Sequence, residues 1–208
     1  MTEILPDRAF SPRGVPDGVG PDRVGPARYH RDRWIPDAAV LDRGVLDRAV
    51  DPAGFRGALA EHAAGVVIVT AQVAGVPFGL TATSFSSVSL EPPLVCFFVG
   101  RASSTWAGLR RADQFAVHVL TGDQAELAAR FARKGIDRFA EPTRWRRGPL
   151  GTPLLADVAA HLVCVPYGTA GMGDHVLVVG LVTDVDVRQA ARPLLYHRGR
   201  FGEFSPGL

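Results

Sequence analysis

The chain has 208 residues, of which 47% are hydrophobic, enough for one sizeable core without a second domain. Its 23 Lys and Arg against 21 Asp and Glu give a formal net charge of +2, so neither nucleic acid nor an anionic membrane is implied as a partner. No apolar run approaches the roughly 20 residues of a membrane span, and the amino terminus lacks the apolar core of a secretory signal, so we expect a soluble cytoplasmic protein.

The first fifty residues differ in composition from the rest. Proline, glycine and repeated Asp-Arg pairs interrupt every helical or strand period there, so we expect an N-terminal arm over 1–50 and one folded domain over 51–208. Adjacent opposite charges cancel, which is unlike a nucleic-acid-binding tail. Two interpretations stay open: a flexible leader, or an arm that packs across a subunit interface or near the site through aromatic residues such as Tyr29 and Trp34.

The first predicted element of the folded domain is a helix. Asp51 suits the N-cap position, and the fixed φ of Pro52 suits the first helical position. Gly65 is predicted to end the helix. One helix face would carry Phe55, Ala58, Leu59 and His62.

A hydroxyl-rich strand is predicted over 78–89, antiparallel to a buried strand over 66–71 and joined to it by a turn at 74–76. Its short polar side chains fall on both faces: Thr81, Thr83, Ser84, Ser86, Ser87 and Ser89. A buried hydroxyl without a partner costs roughly 1–3 kcal/mol, so a polar planar ligand or dense internal pairing must meet them. An edge strand that faces water is the alternative. Pro92 and Pro93 end this strand and fix the start of the next, over 94–99.

The remaining elements are mostly strands. We predict strands at 115–120, 159–167 and 175–187, with short helices at 104–111 and 124–132, which together indicate a barrel or a sandwich. Ser103, Ser104 and Thr105 offer amides and hydroxyls to a phosphate, although a plain N-cap is the simpler explanation. Arg133 and Lys134 offer cations, or ordinary charge at a helix C-terminus.

Metal and hydrolytic sites are not indicated. Cys96 and Cys164 lie in apolar segments outside any CxxC motif or Cys/His cluster, so we expect core residues in a reducing compartment and no metal. The sequence has no P-loop, convincing Ser-His-Asp spacing or paired carboxylates on one element, which argues against hydrolases and kinases. It also has no GxGxxG fingerprint, and hence no sign of a dedicated dinucleotide domain.

Seven segments occur in the order and spacing of one family. They are AAGVVIVTA at 63–71, TATSFSSVSLEPPLV at 81–95, SSTW at 103–106, FAVHVL at 115–120, DQAELAARFA at 123–132, GDHVLVVGLV at 173–182 and PLLYHRGRFGEF at 193–204. Through them the chain, from about Asp51 to Phe204, resembles the flavin reductase family, the reductase components of two-component flavin-dependent monooxygenases. The resemblance implies a mainly β fold, an FMN-binding split β-barrel of the Greek-key type with a few short helices, and a homodimer with the site near the subunit interface.

The resemblance also implies an activity, that of an NAD(P)H:flavin oxidoreductase. Nicotinamide C4 would give a hydride to N5 of FMN or FAD, with NADH as donor and NADPH as a second option. The reduced flavin would diffuse to a partner monooxygenase or halogenase. Two alternatives stay open: a flavoenzyme that retains FMN to oxidise or reduce an organic substrate, and a non-catalytic flavin-binding or carrier protein.

By resemblance, residues from several segments would form the site. Those that bind the flavin would be Thr81, Ala82, Thr83, Ser84, Ser87, Ser103, Ser104, Thr105, Phe131, Arg133 and Lys134. Thr83 or Ser84 would hydrogen-bond near N5, and a one-residue register shift would exchange them. His175 would position nicotinamide or assist proton transfer, beside Tyr196, Arg198 and Phe201. One departure is His118, where many relatives have asparagine, which leaves that position open as a site residue.

Overall fold

The computed structural model of the chain describes residues 34–35, 47–188 and 192–204. The rest of the predicted arm, Tyr29 included, lies outside the described residues. The strands are β1 (Trp34–Ile35), β2 (Ala64–Gly65), β3 (Val67–Val73), β4 (Val76–Ala82), β5 (Ser86–Leu90), β6 (Pro93–Gly100), β7 (Phe115–Val119), β8 (Trp145–Arg147), β9 (Pro153–Leu155), β10 (Ala160–Met172), β11 (His175–Val187), β12 (Leu194–His197) and β13 (Arg200–Glu203). The helices are α1 (Pro52–Ala60), α2 (Ser104–Leu109) and α3 (Ala125–Ala132).

Helix α1 begins as predicted. The Asp51 carboxylate accepts hydrogen bonds from the amides of Ala53 at 2.9 Å and Gly54 at 3.0 Å, and proline follows it at the first helical position. A carboxylate in this place satisfies amides that have no partner inside the helix. No helix among the described residues is long and apolar enough to span a membrane.

The end of α1 differs from the prediction. The helix stops at Ala60, five residues before Gly65, so His62 is not part of it. None of its residues is buried, and Phe55 and Leu59 are 55% and 53% exposed. The apolar face predicted for this helix therefore exists but covers nothing within the described part of the chain.

The main sheet explains how the predicted strands are arranged. Seven strands pair antiparallel in the order β4-β3-β7-β10-β11-β6-β5. Strand β10 pairs with β11 along its whole length but with β7 only from Ala160 to Cys164. Beyond Cys164, strand β1 pairs in parallel with a later part of β10, with Trp34 opposite Thr169 and Ile35 opposite Ala170.

The hydroxyl-rich strand is two strands, so the prediction of one continuous strand over 78–89 is wrong. Strand β4 ends at Ala82 and β5 begins at Ser86. They lie at opposite ends of the sheet order, yet only residues 83–85 join them. The two ends of the sheet are therefore brought together, which is the closure expected of a barrel.

Both faces of β3 are buried, as its continuous apolar sequence predicts. Val67 and Val69 belong to one core cluster with Phe97 and Phe115, while Ile68 belongs to a second cluster that includes Phe131 of α3. Each such side chain contributes about 1.5–3 kcal/mol through the area it removes from water. This second cluster holds α3 against the outside of the sheet and so fixes where the residues after α3 lie.

Two smaller sheets complete the fold. Strands β12 and β13 form a hairpin that pairs with β2, and β8 pairs with β9. Cys164 is fully buried, and its burial raises the pKa of the thiol to about 12; Cys96 is partly buried. Within the ranges that the structure describes, no group of three or more His, Cys, Asp or Glu is placed to hold a metal ion.

Candidate active site

The break between β4 and β5 separates the roles of Thr83 and Ser84. The Ser84 hydroxyl accepts a hydrogen bond from the amide of Phe98 at 3.0 Å and lies 3.4 Å from the carbonyl oxygen of the same residue. It therefore substitutes for a strand partner where the ladder is interrupted. Thr83 is exposed, and its side chain makes no hydrogen bond among the described residues. Of the two candidates for a contact near flavin N5, Thr83 has the unoccupied hydroxyl.

The neighbouring strand residues are less available. The Thr81 hydroxyl donates to the carbonyl of Ala128 at 2.6 Å and ties β4 to α3, and the Ala82 side chain is buried. Ser87 is exposed in β5, opposite Val95. Ala82 and Thr81 thus support the strand, whereas Ser87 faces outward.

The Ser-Ser-Thr segment follows β6. Ser103 lies at the N-cap of α2, where its side chain makes no capping bond, and Ser104 is exposed. Thr105 is buried, with its hydroxyl 3.4 Å from the carbonyl oxygen of Gly79. Helix α2 has six residues, so it adds little as a dipole. The two serine hydroxyls are therefore the part of this segment open to a ligand.

His175 lies beside the Ser-Ser-Thr segment. It pairs with Gly100 at the end of β6, and the Arg101 amide donates to the Asp174 carbonyl at 3.0 Å. The exposed His175 ring contacts the Asp174 carboxylate at 2.7 Å, and this hydrogen bond lowers the pKa of Asp174. The fold therefore brings together two segments that are 72 positions apart in the chain when counted from Ser103 to His175.

The end of α3 contains one core residue and two exposed cations. Phe131 is fully buried and packs edge-on against Phe139 at 5.2 Å between ring centroids. Its ring supports β4 from the core and is not open to a ligand, in contrast to the cofactor contact that the resemblance implies. Arg133 and Lys134 are exposed, and Arg133 lines a cleft of about 480 Å³ on the outer side of α3.

Arg138 was missed by the sequence reasoning. Its Nη1 donates to the carbonyl of Gly79 at 2.8 Å and to the Thr105 hydroxyl at 3.3 Å, and its Nε donates to the carbonyl of Arg133 at 3.0 Å. Burial lowers the pKa of the guanidinium. The one sequence signal was the neighbouring Phe139, whose burial fixes the loop; on the printed sequence Arg138 resembles the many Asp-Arg pairs elsewhere.

The β12–β13 hairpin carries the residues predicted to lie beside nicotinamide. The rings of Tyr196 and Phe201 are 5.3 Å apart, and Arg198 lies at the turn with a φ of 47°. Arg198 is bound by Glu61, with Nε 3.0 Å from each carboxylate oxygen. Arg198, Arg200 and Phe201 line a cleft of about 700 Å³. The arginine at the turn is thus already neutralised by a carboxylate.

His118 lies in the core, away from this groove. Its Nε2 is 2.8 Å from the Thr70 hydroxyl, whose only proton goes to the Pro153 carbonyl at 2.5 Å, so Nε2 is the donor to Thr70. A neutral His118 then accepts at Nδ1 from Nδ1 of His161, 2.9 Å away. Burial lowers the pKa of His118 well below its usual value, and the nearby His161 adds to this effect. His118 therefore belongs to a structural network.

The comparisons with known proteins agree with this architecture. The flavin reductase like domain family matches residues 59–205, and the chain belongs to that family. The chain is 43% identical over 156 residues to an NADH:FMN oxidoreductase of Rhodococcus qingshengii, which covers 73% of this chain and 81% of the relative. It is 38% identical over 158 residues to the reductase subunit HsaB of a flavin-dependent monooxygenase of Rhodococcus jostii, covering 76% and 80%.

A solved structure is similar as well. The NADH:FAD oxidoreductase SgcE6 of Streptomyces globisporus, in complex with NAD and FAD fragments, superimposes with a TM-score of 0.71 at 36% identity. The match covers 76% of this chain and 97% of that one. The family, the split-barrel fold class and the flavin reductase activity predicted from the sequence are thereby confirmed.

Proposed function

We propose that the chain reduces FMN or FAD with NADH and releases the reduced flavin to a separate flavin-dependent monooxygenase or halogenase. The observation that carries the proposal is the meeting of three segments at one end of the barrel. They contribute the exposed Thr83, the Ser103 and Ser104 hydroxyls, and His175. Unoccupied hydroxyls suit a ligand that has a polar ring edge and a phosphate, and Arg133 and Lys134 at the end of α3 offer exposed cations.

The residues have separate roles in this proposal. Flavin, when bound, accepts a hydride equivalent and carries two electrons away. Thr83 donates a hydrogen bond to the ring, and Ser84 holds the strand break that presents it. Ser103, Ser104, Arg133 and Lys134 bind the phosphate end, and His175 orients nicotinamide with its ring held by Asp174.

NADH is the preferred donor in this proposal. The Glu61 carboxylate faces Arg198 and neutralises the cation that a 2′-phosphate would need. Glu203 lines the hairpin cleft, and its carboxylate would repel that phosphate. Two relatives, an NADH:FMN oxidoreductase and an NADH:FAD oxidoreductase, support the same preference for NADH, while they differ in the flavin.

We also propose a cytoplasmic homodimer with an arm that lies near the site. The exposed Phe55 and Leu59 of α1 cover nothing among the described residues of their own chain, and a second copy would bury them. The pairing of β1 with Thr169 and Ala170, shortly before the Gly173 turn, favours an arm near the site over a flexible leader.

The test is steady-state oxidation of NADH and NADPH by the purified chain with FMN, with FAD or with no added flavin. Turnover that saturates only with added flavin, and prefers NADH, supports a diffusible-flavin reductase. Flavin that copurifies in stoichiometric amount and supports turnover without addition favours the retained-FMN enzyme. Flavin binding without NADH oxidation favours the carrier. The last two outcomes each contradict the proposal.

A further inference from the structure

We propose that Arg138 supplies the central positive charge that binds the flavin phosphate. Its guanidinium joins three segments: β4 through the Gly79 carbonyl, α2 through the Thr105 hydroxyl, and the end of α3 through the Arg133 carbonyl. The proposed function places the flavin ring at Thr83, just after β4, and the flavin phosphate at the segments that begin α2 and end α3, so the inference rests on that function.

The acceptors around Arg138 are all neutral. Two are carbonyl oxygens and one is a hydroxyl, and no carboxylate forms an ion pair with Arg138 within the described ranges. The nearby Asp137 carboxylate accepts from the amides of Phe139 and Ala140 instead. A guanidinium that is partly withdrawn from water gains most from an anionic partner, because neutral acceptors leave its charge uncompensated.

The donor count leaves room for that partner. A guanidinium has five N–H groups, and the contacts to Gly79, Thr105 and Arg133 use four of them: both on Nη1, the one on Nε and one on Nη2. One Nη2 donor remains. Among the described residues Arg138 thus has a fixed orientation, an available donor and no counter-ion, while the exposed Arg133 and Lys134 add charge at the end of α3.

A purely structural clip is the competing explanation. Arg138 would then hold the three segments together for any flavin, and its loss would weaken every flavin alike. A positive charge that binds phosphate affects the affinity only of flavins that carry a phosphate group. Riboflavin has the same ring and ribityl chain as FMN but no phosphate, so the pair of ligands separates the two explanations.

The experiment measures the dissociation constants of FMN and riboflavin by flavin fluorescence, without NADH. For Arg138→Gln we expect FMN affinity to fall about 10- to 100-fold, the value of one charge-assisted interaction, with riboflavin affinity within about twofold. Equal losses for both ligands, or no loss for FMN, overturn the assignment.

The matched control is Arg130→Gln. Arg130 is another arginine that donates to loop carbonyls, those of Asp137, Arg138, Ala140 and Glu141, from the side of the outer cleft. Its loss should not change the ratio of FMN to riboflavin affinity. An equal change of that ratio in this variant would contradict a specific role for Arg138.

Arg138→Lys keeps the result decisive if the glutamine variant does not fold. Lysine retains the positive charge but cannot make the same hydrogen bonds to three segments. We therefore expect most of the preference for FMN over riboflavin to remain. Loss of the preference in a folded lysine variant would contradict the charge role. Binding of neither flavin by the unmodified chain would instead overturn the proposed function itself, so the two failures are distinguishable.

Discussion

His118 and His161 face each other through the same ring atom, Nδ1, and this limits how many protons the pair can hold. With His118 donating to Thr70 from Nε2, a proton added at its Nδ1 would point at the N–H of His161. The added proton can enter only at the outer nitrogen of His161. Burial lowers the pKa of His161, Asp186 opposes this shift, and Arg146 and Arg188 add to it, so the pKa lies below its usual value.

The buried His118 should make the folded chain less stable at acid pH. An unfolded histidine takes up a proton below about pH 6.5, whereas the folded His118 does not. The unfolded chain then binds more protons, so the free energy of unfolding falls as pH drops below 6.5, by up to about 1.4 kcal/mol per pH unit. His118→Asn should reduce this slope, measured by urea unfolding between pH 5 and 8.

The control for this prediction is His62→Asn, which replaces an exposed histidine just beyond α1. It should leave the slope unchanged. An unaltered slope in the His118 variant would show that the buried pair does not govern acid stability.

A second residue prediction separates catalysis from binding. His175→Ala should lower kcat/KM for NADH about 10- to 100-fold, because the nicotinamide loses an orienting contact. FMN affinity should stay within about twofold, since the proposed flavin contacts lie on other residues. Stopped-flow reduction and flavin titration measure the two quantities, with His62→Ala as the control. Unchanged reduction kinetics would remove His175 from the site.

At the scale of elements, one close approach in the barrel lies where α3 packs against β4. A Cβ at Gly79 would come within 2.7 Å of the Val69 carbonyl oxygen and 2.9 Å of the Phe131 ring. Both neighbours are fixed, one as backbone of β3 and the other as a core side chain. The glycine is therefore required by its surroundings, since its φ does not lie in the left-handed region.

Gly79→Ala should lower the free energy of unfolding by about 1–3 kcal/mol through overpacking. Chemical denaturation measures it. Gly57→Ala is the matched control, because a Cβ there meets nothing within 4 Å and alanine favours the interior of α1 by up to about 1 kcal/mol. Equal effects of the two substitutions would contradict the packing explanation.

Local sequence predicted the starts of elements better than their ends. Asp51 with Pro52, and Pro92 with Pro93, are short-range signals that act within a few residues. Helix α1 begins as predicted, and β6 begins at Pro93, one residue before the predicted start. The end of α1 and the break at 83–85 depend on distant partners, Arg198 for the first and Phe98 for the second. Such contacts across the fold leave no periodic trace in the segment itself.

At the scale of the whole molecule, the arm gives the last prediction. A truncation that starts at Val50 should fold, because the described core lies beyond it, but should lose the pairing of β1 with β10 at a cost of about 1 kcal/mol. The KM for NADH should change as well, because that pairing lies near the Gly173 turn. A truncation that starts at Arg31 retains β1 and is the control. Unchanged stability, kinetics and oligomeric state would identify a mere leader.

The candidate site was predicted segment by segment, and its assembly was not. Thr83, Ser103, Ser104 and His175 were singled out by type and by family resemblance, and the fold places them around one end of the barrel. Arg138 carries no motif, since its position depends on Phe139 and on three backbone carbonyls that only the folded chain assembles. The burial of the Phe131 ring could not be predicted, because an aromatic residue beside cations looks the same in sequence whether it faces a ligand or the core.

The crossing from β4 to β5 has a consequence for how quickly a flavin can come and go. Because the Ser84 hydroxyl already satisfies the Phe98 amide, the three-residue crossing is held open by the barrel itself and not by a ligand. A flavin that binds there orders few additional residues, and few residues rearrange when the flavin dissociates. Such a preformed binding site favours rapid flavin exchange. A reductase requires this when flavin is its substrate, because each protein molecule then binds and releases many flavins in succession.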